Sequence, residues 1–187
     1  GLLLQRKRLL LRVAHQRAAK VLVAVNTFAR AGATDAWRRA VDTAVAAGAD
    51  ALIAADLAVL AYARDQHPGL RLHLSVQAAA NSPDAIAFYA ANYGVKRVVL
   101  PRVLSAQEVA ALVGEAPVEV EAFVFGGLCV MAEGRCALSS YVTGRSPNLS
   151  GVCSPPEAVS FARSDGVLTP RPAGLAGAPF AAGATAR

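Results

Sequence analysis

The sequence lacks the long apolar runs from which a membrane-spanning helix is built. Its apolar runs, such as those at residues 44–49 and 51–55, are interrupted by Gly or Asp well before the roughly 18 residues that a span needs. The N-terminus also lacks the ordered charged, apolar and small-residue layout of a signal peptide. With 55% hydrophobic and 17% charged residues, the composition is not that of a disordered chain. These absences predict a cytoplasmic protein with no membrane span and one sizeable core.

Acidic residues are missing from the first 20 positions. The six basic residues there account for the whole net charge of +6: Arg6, Lys7, Arg8, Arg12, Arg17 and Lys20. The rest of the chain is balanced, with 13 basic residues (19 less these six) against 13 acidic ones. The fold itself therefore has no excess of cations for a phosphate backbone, which argues against a nucleic-acid partner.

Short β-branched runs alternate with longer amphipathic stretches from residue 20 onward. They predict strands at 20–28, 51–56, 71–77, 96–102 and 118–125, and helices at 34–47, 57–66, 82–92 and 105–113. This alternation indicates βαβ units and a parallel sheet. A closed barrel needs eight strands, so five predict an open sheet or part of a larger barrel, and Gly1 in place of an initiating Met favours the second. The expected fold class is α/β, a partial (β/α) TIM-like barrel with parallel strands, followed by a cysteine-bearing segment.

Composition divides the chain into three parts. Residues 1–19 form a basic N-terminal segment, and residues 20–161 form the barrel-like domain together with the cysteine cluster segment. Residues 162–187 are rich in Ala, Gly and Pro without a period. Such a composition is typical of a disordered tail, so no regular structure is expected there.

Four polar residues follow, or lie at the ends of, the predicted strands: Asn26, Asp56, Gln77 and Arg102. Parallel α/β folds place their sites at this edge, so these side chains are candidates for a pocket that holds a polar ring. Capping of loops and neighbouring helices is the simpler role for any one of them. Arg102 is the strongest candidate, because a guanidinium can hold a carboxylate or an oxyanion. His73 lies mid-strand and is expected to be a hydrogen-bonded core residue rather than a proton carrier.

Three cysteines form a cluster with the spacing C-x6-C-x16-C, at Cys129, Cys136 and Cys153, with glycines around them. Thiolates bind soft metals and iron-sulfur clusters, and nearby glycines let backbone N–H groups approach the sulfurs. The tight C-x2-C pair of many metal sites is absent. Spacing alone therefore leaves a metal site and three buried structural thiols equally open.

The wording of the cysteine segment adds a resemblance. FVFGGLCVMAEGRCALSSYVTG followed by SPNLSGVCSP, with VLVAVNTF and GADALIAADLAVL upstream, resembles the collagenase-like peptidase family over residues 13–161. The resemblance implies a 4Fe-4S cluster with Cys129, Cys136 and Cys153 as three ligands. The family's fourth ligand lies some forty residues beyond the third, so it would fall past Arg187 and is absent from this chain.

Two positions favour one branch of that family. Relatives named for peptidase or RNA hydroxylation activity usually carry His and Cys where this chain has Phe125 and Glu157. Both departures match the UbiU-like branch, which implies oxygen-independent hydroxylation of the ubiquinone ring with a UbiV-like partner and an aromatic ubiquinone precursor as substrate.

Two alternatives within the family stay open, a hydrolase and an RNA hydroxylation protein. A hydrolase needs a nucleophile beside a base, yet the chain has no G-x-S-x-G or H-E-x-x-H motif and only His15, His67 and His73. An RNA-modifying protein needs a basic face, against which the balanced charge counts. The main expectation is therefore an iron-sulfur subunit of a hydroxylase system, and no catalytic residue is identified.

Overall fold

The computed structural model describes residues 2–125, 131–136, 146–151, 159–164 and 167–172. The elements are α1 (Leu2–Gln16), β1 (Leu22–Val25), α2 (Asp35–Ala47), β2 (Ala51–Ala54), α3 (Leu57–Gln66), β3 (Arg71–Leu74), a 3-10 turn (Val76–Ala78), α4 (Pro83–Tyr93), β4 (Arg97–Val99), α5 (Ala106–Glu115), β5 (Glu119–Glu121), the short helix α6 (Pro147–Ser150), β6 (Val159–Ser164) and β7 (Val167–Pro172).

The first five strands form one parallel sheet in the order β1-β2-β3-β4-β5. Each strand pairs with the next along the chain, and a helix makes each crossover, as in successive units of a (β/α) barrel. The predicted α/β fold is confirmed. The strands are shorter than predicted, at three or four residues each, because the residues that follow them turn away to cap helices or form loops.

Local capping fixes where the crossover helices begin and end. Ser82 accepts a hydrogen bond from the Ala85 N–H with Pro83 in the first turn, and Gly94 ends α4 in a left-handed conformation at φ 69°. Ser105 and Glu108 form a reciprocal capping box at the start of α5. Such caps are local sequence signals for the ends of helices.

The hydrophobic core lies between the sheet and α2–α5. Leu52, Leu74 and Val98 point from the strands into this layer and are fully buried, as are Leu60 and Ile86 of the helices. Full burial of such a side chain stabilises the fold by roughly 1.5–3 kcal/mol. The helix-covered face of the sheet therefore supplies the main stabilisation.

The other face of the sheet is polar at its amino end. Arg71 and Arg97 bridge to the two oxygens of Glu119 at 2.6 and 2.7 Å, and Arg97 also reaches Glu121 at 3.3 Å. Register pairing of Arg97 with Glu119 sets these charges side by side. We call Arg71, Arg97, Glu119 and Glu121 the amino-end ion cluster.

The basic N-terminal segment is mostly helical. Leu11 of α1 is 7% exposed, and His15 Nε2 lies 2.8 Å from Asp50 Oδ2, so the helix packs on the body of the fold. Lys20 and Arg17 are exposed. None of the helices in the described part of the chain has the length and apolar character that crossing a bilayer requires.

The C-terminal residues differ in part from the expectation of a disordered tail. β6 and β7 form an antiparallel hairpin with Val159 opposite Pro172 and Ser164 opposite Val167, so residues 162–164 and 167–172 are strands. Alternating apolar residues such as Val159, Phe161 and Val167 favour pairing here despite the Ala/Gly/Pro content. Residues 173–187 lie outside the described part.

Candidate substrate cavity at the carboxyl end of the sheet

A cavity of about 240 Å³ opens where β1, β3 and β4 end. Three of the four predicted site residues line it, Asn26, Gln77 and Arg102, together with Cys136. Glu133, Gly134 and Asn148 of the later segments complete the polar part of its wall. The predicted convergence of strand-end side chains thus takes place, and a cysteine lies beside it.

Asp56, the fourth predicted residue, is not among the lining residues. Its Oδ1 accepts hydrogen bonds from the N–H groups of Ala58 at 2.8 Å and Val59 at 3.2 Å, which caps α3. Its Oδ2 accepts from the Ala29 N–H at 3.0 Å and ties down the segment after β1. Asp56 has the structural role that was the simpler alternative for it.

Gln77 brings an amide group to the cavity from the 3-10 turn after β3. Ser75 Oγ accepts from the Gln77 N–H at 3.3 Å and fixes the start of that turn. The side-chain Oε1 of Gln77 is buried and has no hydrogen-bond partner among the described residues. A buried unpaired acceptor costs roughly 1–3 kcal/mol, so a ligand that donates a hydrogen bond to it would gain that amount.

Arg102 lies in a bidentate ion pair with Glu133. Its Nε and Nη2 donate to the two carboxylate oxygens at 2.8 and 2.6 Å, and its backbone N–H donates to the same group at 3.4 Å. The Arg102 side chain is 21% exposed and that of Glu133 only 5%. The guanidinium also lies over the Phe123 ring, 5.3 Å from its centroid. The charge of Arg102 is therefore compensated within the protein.

Glu133 was missed by sequence reasoning. It stands within the cysteine segment, 31 residues from Arg102, and no spacing rule pairs residues so far apart. The signal that was available is its position between Cys129 and Cys136, in a segment already singled out. In the sequence, an acidic residue followed by glycine is not distinguishable from an ordinary polar residue of a loop.

Gly134 allows the segment 131–136 to pack against the turn after β3. It has a left-handed φ of +67°, and a Cβ placed there would lie 2.3 Å from the carbonyl oxygen of Gln77. Both the conformation and the close approach require glycine. This contact holds Glu133 and Cys136 at the cavity wall.

Cys136 is a partly buried cysteine on the cavity wall and is not in a disulfide. Cys129 and Cys153 lie outside the described residues, so the predicted three-cysteine ligand set stays a prediction. Within the described ranges, no group of three His, Cys, Asp or Glu side chains is arranged to hold a metal ion.

His73 is a core residue that does not line the cavity. It is 3% exposed, its Nε2 accepts from Arg71 Nε at 3.1 Å, and no described residue pairs with its Nδ1. Burial, together with the positive charges of Arg97 and Arg71, lowers its pKa below the usual 6.5. His67 pairs with Asp42 at 2.8 Å on the helix layer.

Comparison with known proteins gives a family match and a set of relatives. Residues 6–164 match the profile of peptidase family U32. The tRNA hydroxylation protein P of Escherichia coli K12 is 36% identical over 142 residues, covering 75% of this chain and 31% of that protein. The tRNA hydroxylation protein P1 of Bacillus subtilis 168 is 33% identical over 138 residues, covering 72% and 32%.

The E. coli 23S rRNA 5-hydroxycytidine C2501 synthase is 31% identical over 141 residues, covering 75% of this chain and 21% of that protein. The chain thus spans about a third or less of the length of these relatives.

A solved structure shares the fold. That of the U32 peptidase Mk0906 superposes with a TM-score of 0.51 at 20% identity, covering 62% of this chain and 50% of that one. At this identity the likeness concerns the fold alone. The profile match extends over most of the sequence, including all the cavity residues named above. The chain belongs to peptidase family U32.

Proposed function

We propose that this chain is the cavity-bearing part of a U32 protein that takes part in the hydroxylation of RNA nucleobases. The proposal rests on the similarity of the chain to proteins that are named for the hydroxylation of RNA. Proteins named for tRNA hydroxylation in E. coli and B. subtilis, and for 5-hydroxycytidine synthesis in 23S rRNA, align with about three quarters of the chain. This changes the main expectation from the sequence, which favoured ubiquinone over RNA.

The balanced charge beyond residue 20 is compatible with an RNA substrate. An enzyme that modifies one base takes it out of the stack into a pocket, and specificity then comes from contacts to that base. A cavity with three amide side chains and a planar guanidinium supplies such contacts. The exposed cations Arg12, Arg17 and Lys20 remain available to a phosphate backbone.

An iron-sulfur cluster forms part of the proposal. Cys136 would be one ligand, and Cys129 and Cys153 would supply two more by the family resemblance. A partly buried cysteine at the cavity wall fits such a role. A bound cluster would supply electron transfer beside the substrate, while the chain's own residues bind and orient the ring.

Ubiquinone-ring hydroxylation is the second candidate. It is favoured by Phe125 and Glu157, which stand where RNA-modifying relatives usually carry His and Cys. This candidate includes the UbiV-like partner, a heterodimer and the aromatic ubiquinone precursor. A phenolic ring would use the same cavity as a nucleobase.

A peptidase activity has less support from the site. The described cavity wall contains Cys136 but no histidine. His15, His67 and His73 pair with Asp50, Asp42 and Arg71 elsewhere in the fold. Within the described residues of the cavity, the thiol of Cys136 therefore has no histidine base on the same wall.

Deletion of the gene in the organism that encodes the chain tests the first candidate against the second. Total RNA is digested to nucleosides, quinones are extracted from the same cells, and both are quantified by mass spectrometry. We expect a hydroxylated nucleoside to disappear while the quinone content is unchanged. Loss of ubiquinone with intact RNA would reject the RNA proposal and support the second candidate.

The cluster is tested separately, by anaerobic reconstitution with iron and sulfide. We expect visible absorption and near-stoichiometric iron and sulfide, lost in a variant with Cys129→Ala, Cys136→Ala and Cys153→Ala. A folded chain that takes up neither element would contradict the cluster and leave the nucleoside result to stand alone.

A further inference from the structure

Arg102 was expected to bind a carboxylate or an oxyanion, a role we call an anion hook. Its contacts in the structure do not favour that role. Its Nε and Nη2 both donate to the Glu133 carboxylate, at 2.8 and 2.6 Å. A third bond to the same carboxylate comes from the Arg102 backbone N–H. An arginine that is neutralised within the protein has little net attraction left for a second carboxylate or for a phosphate.

The same contacts fix the plane of the guanidinium. The two-pronged bond to Glu133 sets its orientation, and the Phe123 ring lies against it at 5.3 Å. The Glu133 side chain is 5% exposed, so this arrangement is held from the protein side, whereas Arg102 keeps 21% of its surface exposed. A rigid, flat and electrically compensated surface thus borders the cavity.

Guanidinium planes and aromatic rings are the surfaces on which nucleobases stack in RNA-binding proteins. The cavity also has a volume of about 240 Å³, below the roughly 300–1,000 Å³ of pockets for drug-sized ligands. It suits a single ring. The amides of Asn26 and Gln77 lie on its wall, and within the described part of the chain no group donates to the buried Gln77 Oε1.

We infer that the cavity binds one planar ring, with Arg102 as its stacking wall and Gln77 as the acceptor that fixes the ring's orientation. The inference rests on the proposed function for its choice of a nucleobase. The shared chemistry is a flat ring with a hydrogen-bond donor on its edge, which a pyrimidine base and a phenol both offer. Arg102 is a binding residue here, and Glu133 and Phe123 position it.

Binding of four small probes to the 187-residue chain tests the inference by isothermal titration calorimetry. Uridine and cytidine represent the nucleobase, phenol the neutral aromatic ring, and 4-hydroxybenzoate the same ring with a carboxylate. A stacking wall predicts binding of the rings without dependence on the carboxylate. An anion hook predicts that 4-hydroxybenzoate binds and phenol does not, which would overturn the inference.

Three variants test whether Arg102 acts as the stacking wall. Arg102→Lys keeps the charge and loses the plane, so ring affinity is expected to fall about tenfold, the loss of one stacking contact. Glu133→Gln removes the compensation and is expected to shift preference toward 4-hydroxybenzoate. Phe123→Leu, at a side chain that is 55% exposed, weakens ring binding without loss of the fold. Arg135→Lys, in the same segment but not on the cavity wall, is the matched control.

The outcomes separate this inference from the proposed function. Binding of phenol but neither nucleoside would support the wall and count against the RNA proposal. Failure of every ring to bind a folded chain, with hydroxylated RNA still lost in the deletion strain, would reject the wall and leave the function standing. Equal losses in Arg102→Lys and Arg135→Lys would also reject it.

Discussion

The two ends of the sheet carry the same chemical pair in different surroundings. At the carboxyl end, Arg102 and Glu133 form a bidentate pair whose side chains are 21% and 5% exposed. At the amino end, Arg97 and Glu119 approach equally closely, at 2.7 Å, but are 35% and 52% exposed. Distance is therefore no guide to the role of an ion pair. Burial makes the first pair costly to break and leaves the second largely screened by water.

The comparison also separates an ion pair that shapes a site from ion pairs that only balance one another's charge. The buried pair fixes a flat surface beside a cavity, whereas the amino-end ion cluster lies on the neighbouring strands β3, β4 and β5, where Arg97 pairs in register with Glu119. Polar residues beyond a strand's carboxyl end are placed by loops and can converge on a ligand. Polar residues within strands mainly contact one another across the ladder.

The largest effect is expected from Glu133→Gln, which leaves the Arg102 charge without its buried partner. We expect the free energy of unfolding to fall by about 3 kcal/mol, measured by urea denaturation. Glu119→Gln is the matched control at the amino end. Equal losses in the two variants would contradict the distinction between the ends.

The next largest effect is expected from Gly134→Ala, because the added Cβ meets the Gln77 carbonyl oxygen at 2.3 Å. Gly32→Ala is the control, since Gly32 has a similar φ of +74° but open space around it. The left-handed conformation alone costs about 1 kcal/mol, and Gly134→Ala is expected to cost roughly twice that or more. Thermal unfolding compares the two. A Gly134→Ala chain as stable as Gly32→Ala would mean that the segment 131–136 does not pack on the turn.

A smaller, pH-dependent effect is expected from His73, which is buried on the face of the sheet opposite the helices, beside the amino-end ion cluster. Its pKa is lowered from 6.5 by burial and by Arg97 and Arg71, with Glu119 and Glu121 opposing. Below pH 6.5 the unfolded chain therefore binds a proton that the folded chain resists. Stability is complete above that pH and declines as the pH falls toward the folded-state pKa.

Denaturation between pH 5 and 7 measures this decline, with His73→Gln as the comparison. The carboxyl groups of Asp42, Asp50 and Glu119, whose pKa values are lowered from 3.8 or 4.5, titrate below this window. The slope is expected to be flatter in His73→Gln. An unchanged slope would show that His73 is solvated or paired in both protonation states.

The smallest effect is expected from Glu119→Gln itself. Its carboxylate is paired with two arginines but exposed to water, so the loss should lie close to the error of a denaturation experiment and shrink further at high salt. A loss as large as that of Glu133→Gln would show that the amino end is as dry as the carboxyl end.

Local signals made much of the fold predictable. Ser82, Ser105 with Glu108, and Gly94 each fix a helix end through bonds within a few residues, and the buried strands lie in short runs rich in Val, Leu or Ile. The parallel order follows from helices between strands. The hairpin at 159–172 was missed, because composition averages over the alternation that favours pairing.

Only the part of the candidate site that follows from the order of parallel strands was predictable. Asn26, Gln77 and Arg102 meet because they follow parallel strands, and that rule is visible in the sequence. The role of Asp56 as a cap could not be told from its spacing, which fits both roles. The pairing of Arg102 with Glu133 depends on a loop that returns over the sheet, which no local pattern specifies.

Complementation of the deletion strain tests most directly whether the cavity is the substrate site of an RNA hydroxylation protein. The full-length protein is expressed as wild type, Arg102→Lys or Arg135→Lys, with protein levels checked by immunoblot, and the hydroxylated nucleoside is quantified by mass spectrometry. The account predicts that Arg135→Lys restores the nucleoside and that Arg102→Lys, at equal protein level, does not. Full restoration by Arg102→Lys would contradict it.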